Sequence, residues 1–229
     1  VADKWNLSRQ DLDNFALESH QKAANATDLK YFDREILPVE GRNAEGMNDL
    51  LMADEGIRFD ASLDKLAGLK TVTEGGVITA GNASQITDGA AAVMICNDAG
   101  LKKIKSSPRA EIVSISVVGD DPVFMLTGPI PASIKALETA NLNIDDIDLY
   151  EVNEAFAPVP LAWASELKAD RSKLNVNGGA MALGHPLGAT GAKLMTTLIH
   201  EMERRESTYG LQAICEGGGT ANATIIKRL

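Results

Sequence analysis

Cysteine is scarce in this chain, with only Cys96 and Cys215 among 229 residues. Two thiols are too few for a disulfide framework, and their rarity suits a reducing compartment in which both stay free. Long apolar runs are missing as well. None reaches membrane-spanning length, and the opening Val1-Ala-Asp-Lys-Trp-Asn6 is not a basic region followed by a signal core, so a soluble protein of the cytoplasm without a membrane span is expected. There is no basic stripe either: a net charge of -10 argues against a nucleic-acid partner but leaves room for one small anionic ligand. Tandem repeats and low-complexity tracts are absent. What is present, 45% hydrophobic and 24% charged residues, can bury a substantial core as one large or two modest domains.

The densest local pattern is Asn175-Val-Asn-Gly-Gly-Ala-Met-Ala-Leu-Gly-His-Pro-Leu-Gly-Ala-Thr-Gly191, five glycines and one histidine running into a helix-patterned segment. It reads either as a glycine-rich turn with an incidental histidine or as a loop that aims His185 at a ligand. Asn153-Glu-Ala-Phe-Ala157 and Cys215-Glu-Gly-Gly-Gly219 each follow an apolar run.

Around these stretches the patterning alternates between strand and helix. Ser8-Arg-Gln-Asp11 suggests a capped helix from about residue 9, with Leu12, Phe15, Ala16, Ser19 and Ala23 on one stripe. His20 lies in that helix with no partner evident. Tyr31–Val39 reads as a short strand limited by Pro38, Gly41–Asn48 as a surface loop, and Ser62–Leu69 as a helix. Asp88–Cys96 reads as a buried strand with Cys96 as a small core residue, and Leu101–Pro108 as a join. A strand over Glu111–Val118, a helix over Pro131–Ala140, a strand over Asp145–Val152, a helix over Pro158–Leu167, a helix over Ala192–Glu203 and two closing strands follow. That order predicts an α/β layered domain, a mixed sheet covered by helices.

Each candidate residue has two readings at this level. Asn153 stands where a strand yields to a helix, an address for a functional amide and equally for a helix cap. Cys215 is either a structural strand-end thiol or, beside bare glycine N–H groups, a proton-transfer group. His200 reads as a surface or packing residue, and Trp163 as a core residue or a pocket wall. A thiol and an imidazole that exchange protons, with N–H groups and an amide-held water facing an oxyanion, would suit acyl transfer or enolate formation beside a thioester.

These three segments, in this order, resemble the signature segments of the thiolases, and the resemblance extends over the whole chain. It implies a thiolase-like fold and an acyl-CoA C-acyltransferase that cleaves 3-oxoacyl-CoA with coenzyme A or condenses two acyl-CoA molecules. By the same resemblance Asn153 positions a catalytic water, His185 activates the nucleophile and helps form an oxyanion hole, Cys215 is the acid/base thiol, and the Gly217 N–H serves a second oxyanion hole. Arg58, Ala80, Ser84, Ala155 and Phe156 become candidate coenzyme A contacts. Coenzyme A is thereby a substrate; no permanently bound cofactor and no metal are implied, and the intact enzyme is expected as a homodimer or homotetramer.

The implied organisation is part of a loop domain covering coenzyme A over residues 1–86, a remnant of an N-terminal half and a join over 87–107, and a C-terminal domain over 108–229. The family's nucleophilic cysteine has no match here, since Cys215 takes the acid/base position and Cys96 a strand. The chain is therefore expected to be a fragment that is inactive alone. Glu216 departs from the small or apolar residue usual beside that thiol, and an outward carboxylate is the simpler arrangement. Two rival readings stay open: a condensing enzyme of the ketoacyl synthase type, which ordinarily uses a pair of histidines, and a non-catalytic thiolase-like protein for coenzyme A binding or assembly.

Overall fold

The computed structural model describes residues 1–43 and 45–229. After a helical turn at Asp3–Trp5, the first long helix, α1, spans Arg9–Asp28. The Ser8 hydroxyl accepts from the Asp11 N–H while the Asp11 carboxylate accepts from the Ser8 N–H, a reciprocal cap that satisfies two end donors. The expected stripe is the buried face, and His20 lies on it.

Strands β1, Val39–Arg42, and β2, Asn48–Leu51, pair as an antiparallel hairpin. Two expectations change here. Residues Tyr31–Glu35 turn instead of extending, so the strand begins only at Val39, after Pro38, which lacks the N–H that a ladder needs. Gly41–Asn48 is not wholly a loop but carries paired backbone at both ends; Ala44 lies outside the described residues. Helix α2, Leu63–Ala67, follows, capped by Ser62.

The largest departure is Asp88–Cys96, expected as a buried strand. It is irregular, Met94 and Ile95 are exposed, and Cys96 is an exposed free thiol just ahead of the short helix α3, Asp98–Leu101. Small and branched residues form a strand only where a neighbour supplies hydrogen bonds and a covering layer. Among the described residues no strand pairs with this run.

The remainder runs β3 Ala110–Gly119, α4 Pro129–Ala140, a helical turn Ile144–Asp146, β4 Leu149–Val152, α5 Pro158–Leu167, α6 Ala180–Leu183, α7 Thr190–Arg205, β5 Tyr209–Cys215 and β6 Thr220–Arg228. The helical turn shortens the strand expected over Asp145–Val152. The four strands form one mixed sheet in the order β3-β6-β5-β4, with β4 parallel to β5 and the other neighbours antiparallel.

Helices cover both faces of that sheet. Leu211 and Ala213 of β5 join Ala132 and Ala136 of α4 and Trp163 of α5 in the main core. Gly210, one residue before Leu211 and so on the opposite face, meets Leu198 and Met202 of α7, as a two-residue period requires. Strand β4 is consequently buried at every position. Trp163 belongs to the core: it meets Tyr150 edge-on at 5.2 Å between ring centroids and donates from Nε1 to Ser133 Oγ at 2.8 Å. Because β4 and β5 are parallel, with Val152 opposite Ala213, their C-terminal ends emerge at one edge. Asn153 leaves from one end and Cys215 closes the other.

Candidate active site

At that edge the Asn153 side-chain Nδ2 stands 3.3 Å from His185 Nε2, and His185 Nδ1 stands 2.6 Å from the Thr190 hydroxyl. Thr190 Oγ1 donates to the Pro186 carbonyl at 2.9 Å, so its oxygen accepts from an Nδ1–H. The lone pair then lies on Nε2, where the Asn153 amide donates to it. Burial lowers the His185 pKa, because a charged ring is disfavoured away from water. The group is a neutral imidazole with its basic nitrogen beside Asn153.

Several backbone anchors aim this ring. His185 N–H donates to the Gln85 carbonyl at 3.1 Å, and Gln85 Nε2 donates to the carbonyls of Gly56 at 2.7 Å and Met181 at 2.8 Å. Lys193 of α7 bonds to the Leu183 carbonyl and to Asp54. Gly184 has φ +82°, and a Cβ there would stand 2.5 Å from the Thr87 hydroxyl, so the residue before the histidine is glycine on two grounds. Behind the loop, the buried Glu154 carboxylate accepts from Ser19 Oγ at 2.7 Å, Asn175 Nδ2 at 2.9 Å and Met181 N–H at 3.2 Å. It thus ties α1, the Asn153 segment and the glycine-rich stretch into one unit. Burial raises the Glu154 pKa, opposed by the hydrogen bonds from Asn175, Ser19 and Met181.

Cys215 is buried against Ala155 and Val159, with Phe156 and Leu126 at the margin. Burial pushes its thiol up to about 11, with the Glu216 charge adding to the effect, so it is a protonated S–H at neutral pH. Glu216 turns outward: it accepts from Asn222 Nδ2 at 2.6 Å and from the Thr220 hydroxyl at 3.2 Å. The strand then reverses through Gly217-Gly218-Gly219, the last two at φ +82° and +85°. Gly217 lies in open space, where a Cβ would meet no heavy atom within 4 Å.

A cleft of about 270 Å³ lies between α1, α2 and the segment 80–85, lined by His20, Arg58, Ser62, Lys65, Ala80 and Met181 among others. His20, expected to lack a partner, has one. Its Nδ1 accepts the Arg58 N–H at 3.0 Å, which leaves an Nε2–H on a ring whose pKa is lowered by burial and by the Arg58 charge. The Arg58 side chain is exposed. Ser84 is outside the cleft lining; its N–H donates to the Ala155 carbonyl at 3.0 Å, Ala157 N–H donates to the Asn82 carbonyl at 3.0 Å, and Ala83 bridges to Phe156. A wider groove of about 930 Å³ runs past Ile86, Ala90 and Pro186, and its lining includes neither Asn153 nor Cys215.

The structure therefore brings Asn153 into contact with His185, joins Cys215 to Ala155 and Phe156, and stitches Ser84 to that same segment. Arg58 and Ala80 sit together in the separate cleft, and a Cβ added at Gly217 would meet none of the others within 4 Å. Sequence reading missed Thr190, Glu154 and the contribution of His20. Only His20 had a visible marker, since it falls four residues after Ala16 on the buried stripe of α1.

Residues 106–228 match the thiolase C-terminal domain family, and residues 1–99 match the thiolase N-terminal domain family. A steroid 3-ketoacyl-CoA thiolase of Mycobacterium tuberculosis is 54% identical over all of this chain and 55% of its own length. A mitochondrial 3-ketoacyl-CoA thiolase of Bos taurus is 44% identical over 99% of this chain and 57% of its own. Among solved structures, the Bacillus anthracis acetyl-CoA acetyltransferase superposes with a TM-score of 0.94 at 41% identity, covering 100% of this chain and 58% of that one. Human mitochondrial 3-ketoacyl-CoA thiolase in complex with CoA superposes with a TM-score of 0.91 at 42% identity, covering 100% and 57%. The chain thus spans somewhat over half the length of the relatives it matches. With both family matches, the shared α/β fold and these identities in agreement, this chain belongs to the thiolase family.

Proposed function

We propose that this chain supplies the proton-transfer and coenzyme-A-holding part of a thiolase, an acyl-CoA C-acyltransferase acting on 3-oxoacyl-CoA. The observation that carries the reading is the Asn153–His185–Thr190 chain, which presents a neutral imidazole with its lone pair on Nε2, at the sheet edge where the protonated Cys215 ends β5.

In the proposed reaction His185 takes the proton of a nucleophilic cysteine thiol, and the sulfur attacks the 3-oxo carbon. The C2–C3 bond breaks, its electron pair passes to the thioester side as an enolate, and Cys215 S–H protonates C2 to release acetyl-CoA or its homologue. The Cys215 thiolate then takes the proton of free coenzyme A, whose sulfur attacks the acyl-enzyme. The departing cysteine sulfur recovers its proton from His185. The high thiol pKa suits Cys215 to the donor step, and a covalent intermediate gives ping-pong kinetics. The Gly217 N–H and an Asn153-held water are assigned to oxyanion stabilisation.

Neither thiol of this chain is hydrogen-bonded to His185 among the described residues, so the nucleophile is assigned to another part of the intact enzyme. Residues 1–86 are assigned to covering coenzyme A, 87–107 to the join and 108–229 to the catalytic domain. Arg58 is assigned to the cofactor's phosphates, His20 and Ala80 to the wall of its cleft, and Ser84, Ala155 and Phe156 to the pantetheine arm. The enzyme is proposed to be cytoplasmic, a homodimer or homotetramer, with coenzyme A as substrate and no resident cofactor. No helix among the described residues is long and apolar enough to cross a membrane.

The deciding experiment pairs thiolysis of acetoacetyl-CoA by the full-length protein with calorimetric titration of coenzyme A into the wild type and Arg58→Ala. Thiolysis is expected, with Arg58→Ala weakening binding about tenfold as one charge-assisted contact is lost. Coenzyme A binding without any thiolysis would favour the non-catalytic alternative. Absence of both would overturn the reading.

A further inference from the structure

Among the described residues, three buried oxygen acceptors on β4, on β5 and on Asn153 just beyond β4 have no hydrogen-bond partner, as do Glu35 Oε2 and Thr87 Oγ1. Leu149 of β4 faces α7 with Leu198 and Met202, so Glu151 and Asn153, two and four residues on, project to the same side. Parallel pairing sets Gln212 of β5 beside Glu151. The three residues are 2%, 1% and 5% exposed, and Glu151 Oε2, Asn153 Oδ1 and Gln212 Oε1 are each buried without a hydrogen-bond partner among the described residues. An ionised carboxylate can only accept, as can an amide oxygen, so with the amides oriented as they stand these three oxygens have no donor among themselves while Glu151 is charged. One proton on Glu151 turns an acceptor into a donor.

The surrounding charges favour that proton. Glu154 lies two residues beyond the end of β4, Glu35 approaches from the segment ahead of β1, and Glu201 from α7, while Lys22 of α1 is the opposing cation. Lys22 is itself engaged by the Leu174 carbonyl and Glu18. Arg204 and Arg205 are committed to Glu201, and His200 lies 3.4 Å from Glu35. Burial first, and then these carboxylates, hold the Glu151 carboxyl well above its usual range.

The recipient of the hydrogen follows from which amide is free to turn. Asn153 has its Nδ2 committed to His185, so its Oδ1 is fixed facing inward. Gln212 has no hydrogen bond among the described residues that pins its amide, and it can rotate to offer nitrogen instead. We propose that Glu151 is a positioning residue for His185: as the neutral acid it donates its O–H to Asn153 Oδ1, which keeps Nδ2 turned toward the imidazole and the lone pair on Nε2. Without that donor the Asn153 amide turns over, presents its oxygen to Nε2, and draws the ring proton there from Nδ1.

This inference deepens the reading of His185 as a base, and its tests read protonation and tautomer, so they succeed or fail independently of turnover. At neutral pH, infrared spectra of the folded chain should show the carbonyl stretch of a protonated carboxyl that disappears in Glu151→Gln, a comparison that separates it from Glu154. Nitrogen-15 spectra of the His185 ring should show the Nδ1–H tautomer in the wild type and in Glu151→Gln, whose amide retains a donor. In Glu151→Met, of similar length but without a donor, the ring should shift to Nε2–H. If Glu151→Met does not fold, the wild-type infrared band and the Glu151→Gln tautomer decide. No Glu151-dependent protonated band, a changed tautomer in Glu151→Gln, or an unchanged one in folded Glu151→Met would each overturn the assignment.

Discussion

The Glu154 carboxylate fills the space in which a side chain at Gly179 would have to stand: an added Cβ would lie 2.5 and 2.6 Å from its two oxygens. This contact lets the glycine-rich stretch close over the acid, so that Met181 N–H and the Asn175 amide reach it.

Gly179→Ala is therefore expected to destabilise the protein by about 1–3 kcal/mol through overpacking at a site that cannot yield without breaking the Glu154 bonds. The backbone itself is permissive there, at φ -151°. Gly217→Ala, where a Cβ meets nothing within 4 Å, serves as the control and should be near neutral. Urea unfolding of the two variants measures the difference, and equal midpoints would remove the clamp from the account.

How much of this was legible in sequence depended on the range of the interaction. The Ser8 cap of α1 and the bounds of α5, Pro158–Leu167, are written locally in a capping pair and in a proline at the helix start. The Glu154 clamp is not, since Ser19 is 135 residues away in sequence. His20 meets a backbone N–H from 38 residues away, and a backbone partner leaves no trace in residue type. Asp88–Cys96 shows the converse. Its composition states what a strand there would bury, not whether a neighbouring strand stands beside it, and its Met94 and Ile95 lie exposed.

The two thiols should differ sharply in reactivity. Cys96 is exposed and Cys215 buried, with its thiol pushed up to about 11, and only thiolates alkylate readily. Iodoacetamide at neutral pH should label Cys96 quickly and Cys215 slowly, with both fast in denaturant. The folded pKa of Cys215 exceeds its reference value of 9.0, so its neutral form favours the native state below about pH 9. That contribution is lost as pH rises through about 11. Equal native labelling rates would mean that Cys215 is more accessible and more acidic than its packing indicates.

Cys215→Ala in the full-length protein separates chemistry from binding. The change removes a titratable group from a pocket of Ala155 and Val159 without adding bulk, so turnover should fall about a hundredfold to ten-thousandfold. Coenzyme A affinity by calorimetry should be unchanged, because Cys215 does not line the cleft around Arg58 and Ala80. A loss accounted for wholly by weaker binding would make Cys215 structural.

Thr190→Val tests the tautomer from the other side of the ring. Valine matches threonine in shape but cannot accept from His185 Nδ1–H, now 2.6 Å from the hydroxyl oxygen, and a buried N–H without a partner is costly. The ring should then move its proton or rotate, and the lone pair facing Asn153 is lost in part. Turnover of the full-length enzyme should drop about tenfold to a hundredfold, less than removal of the imidazole itself would cause. The pH profile carries the sign. Burial lowers the His185 pKa below its reference value of 6.5, so the wild-type base stays neutral down to that lowered value, and kcat/KM should decline only on the acid side of it. In Thr190→Val the plateau falls at every pH, whereas Thr190→Ser, which restores the hydroxyl, should recover most of the rate. Because Thr190 does not line the Arg58 cleft, coenzyme A binding should stay constant across the three proteins. A valine variant with a wild-type plateau and acid limb would show that the Thr190 hydroxyl does not govern which nitrogen of His185 is free to accept a proton.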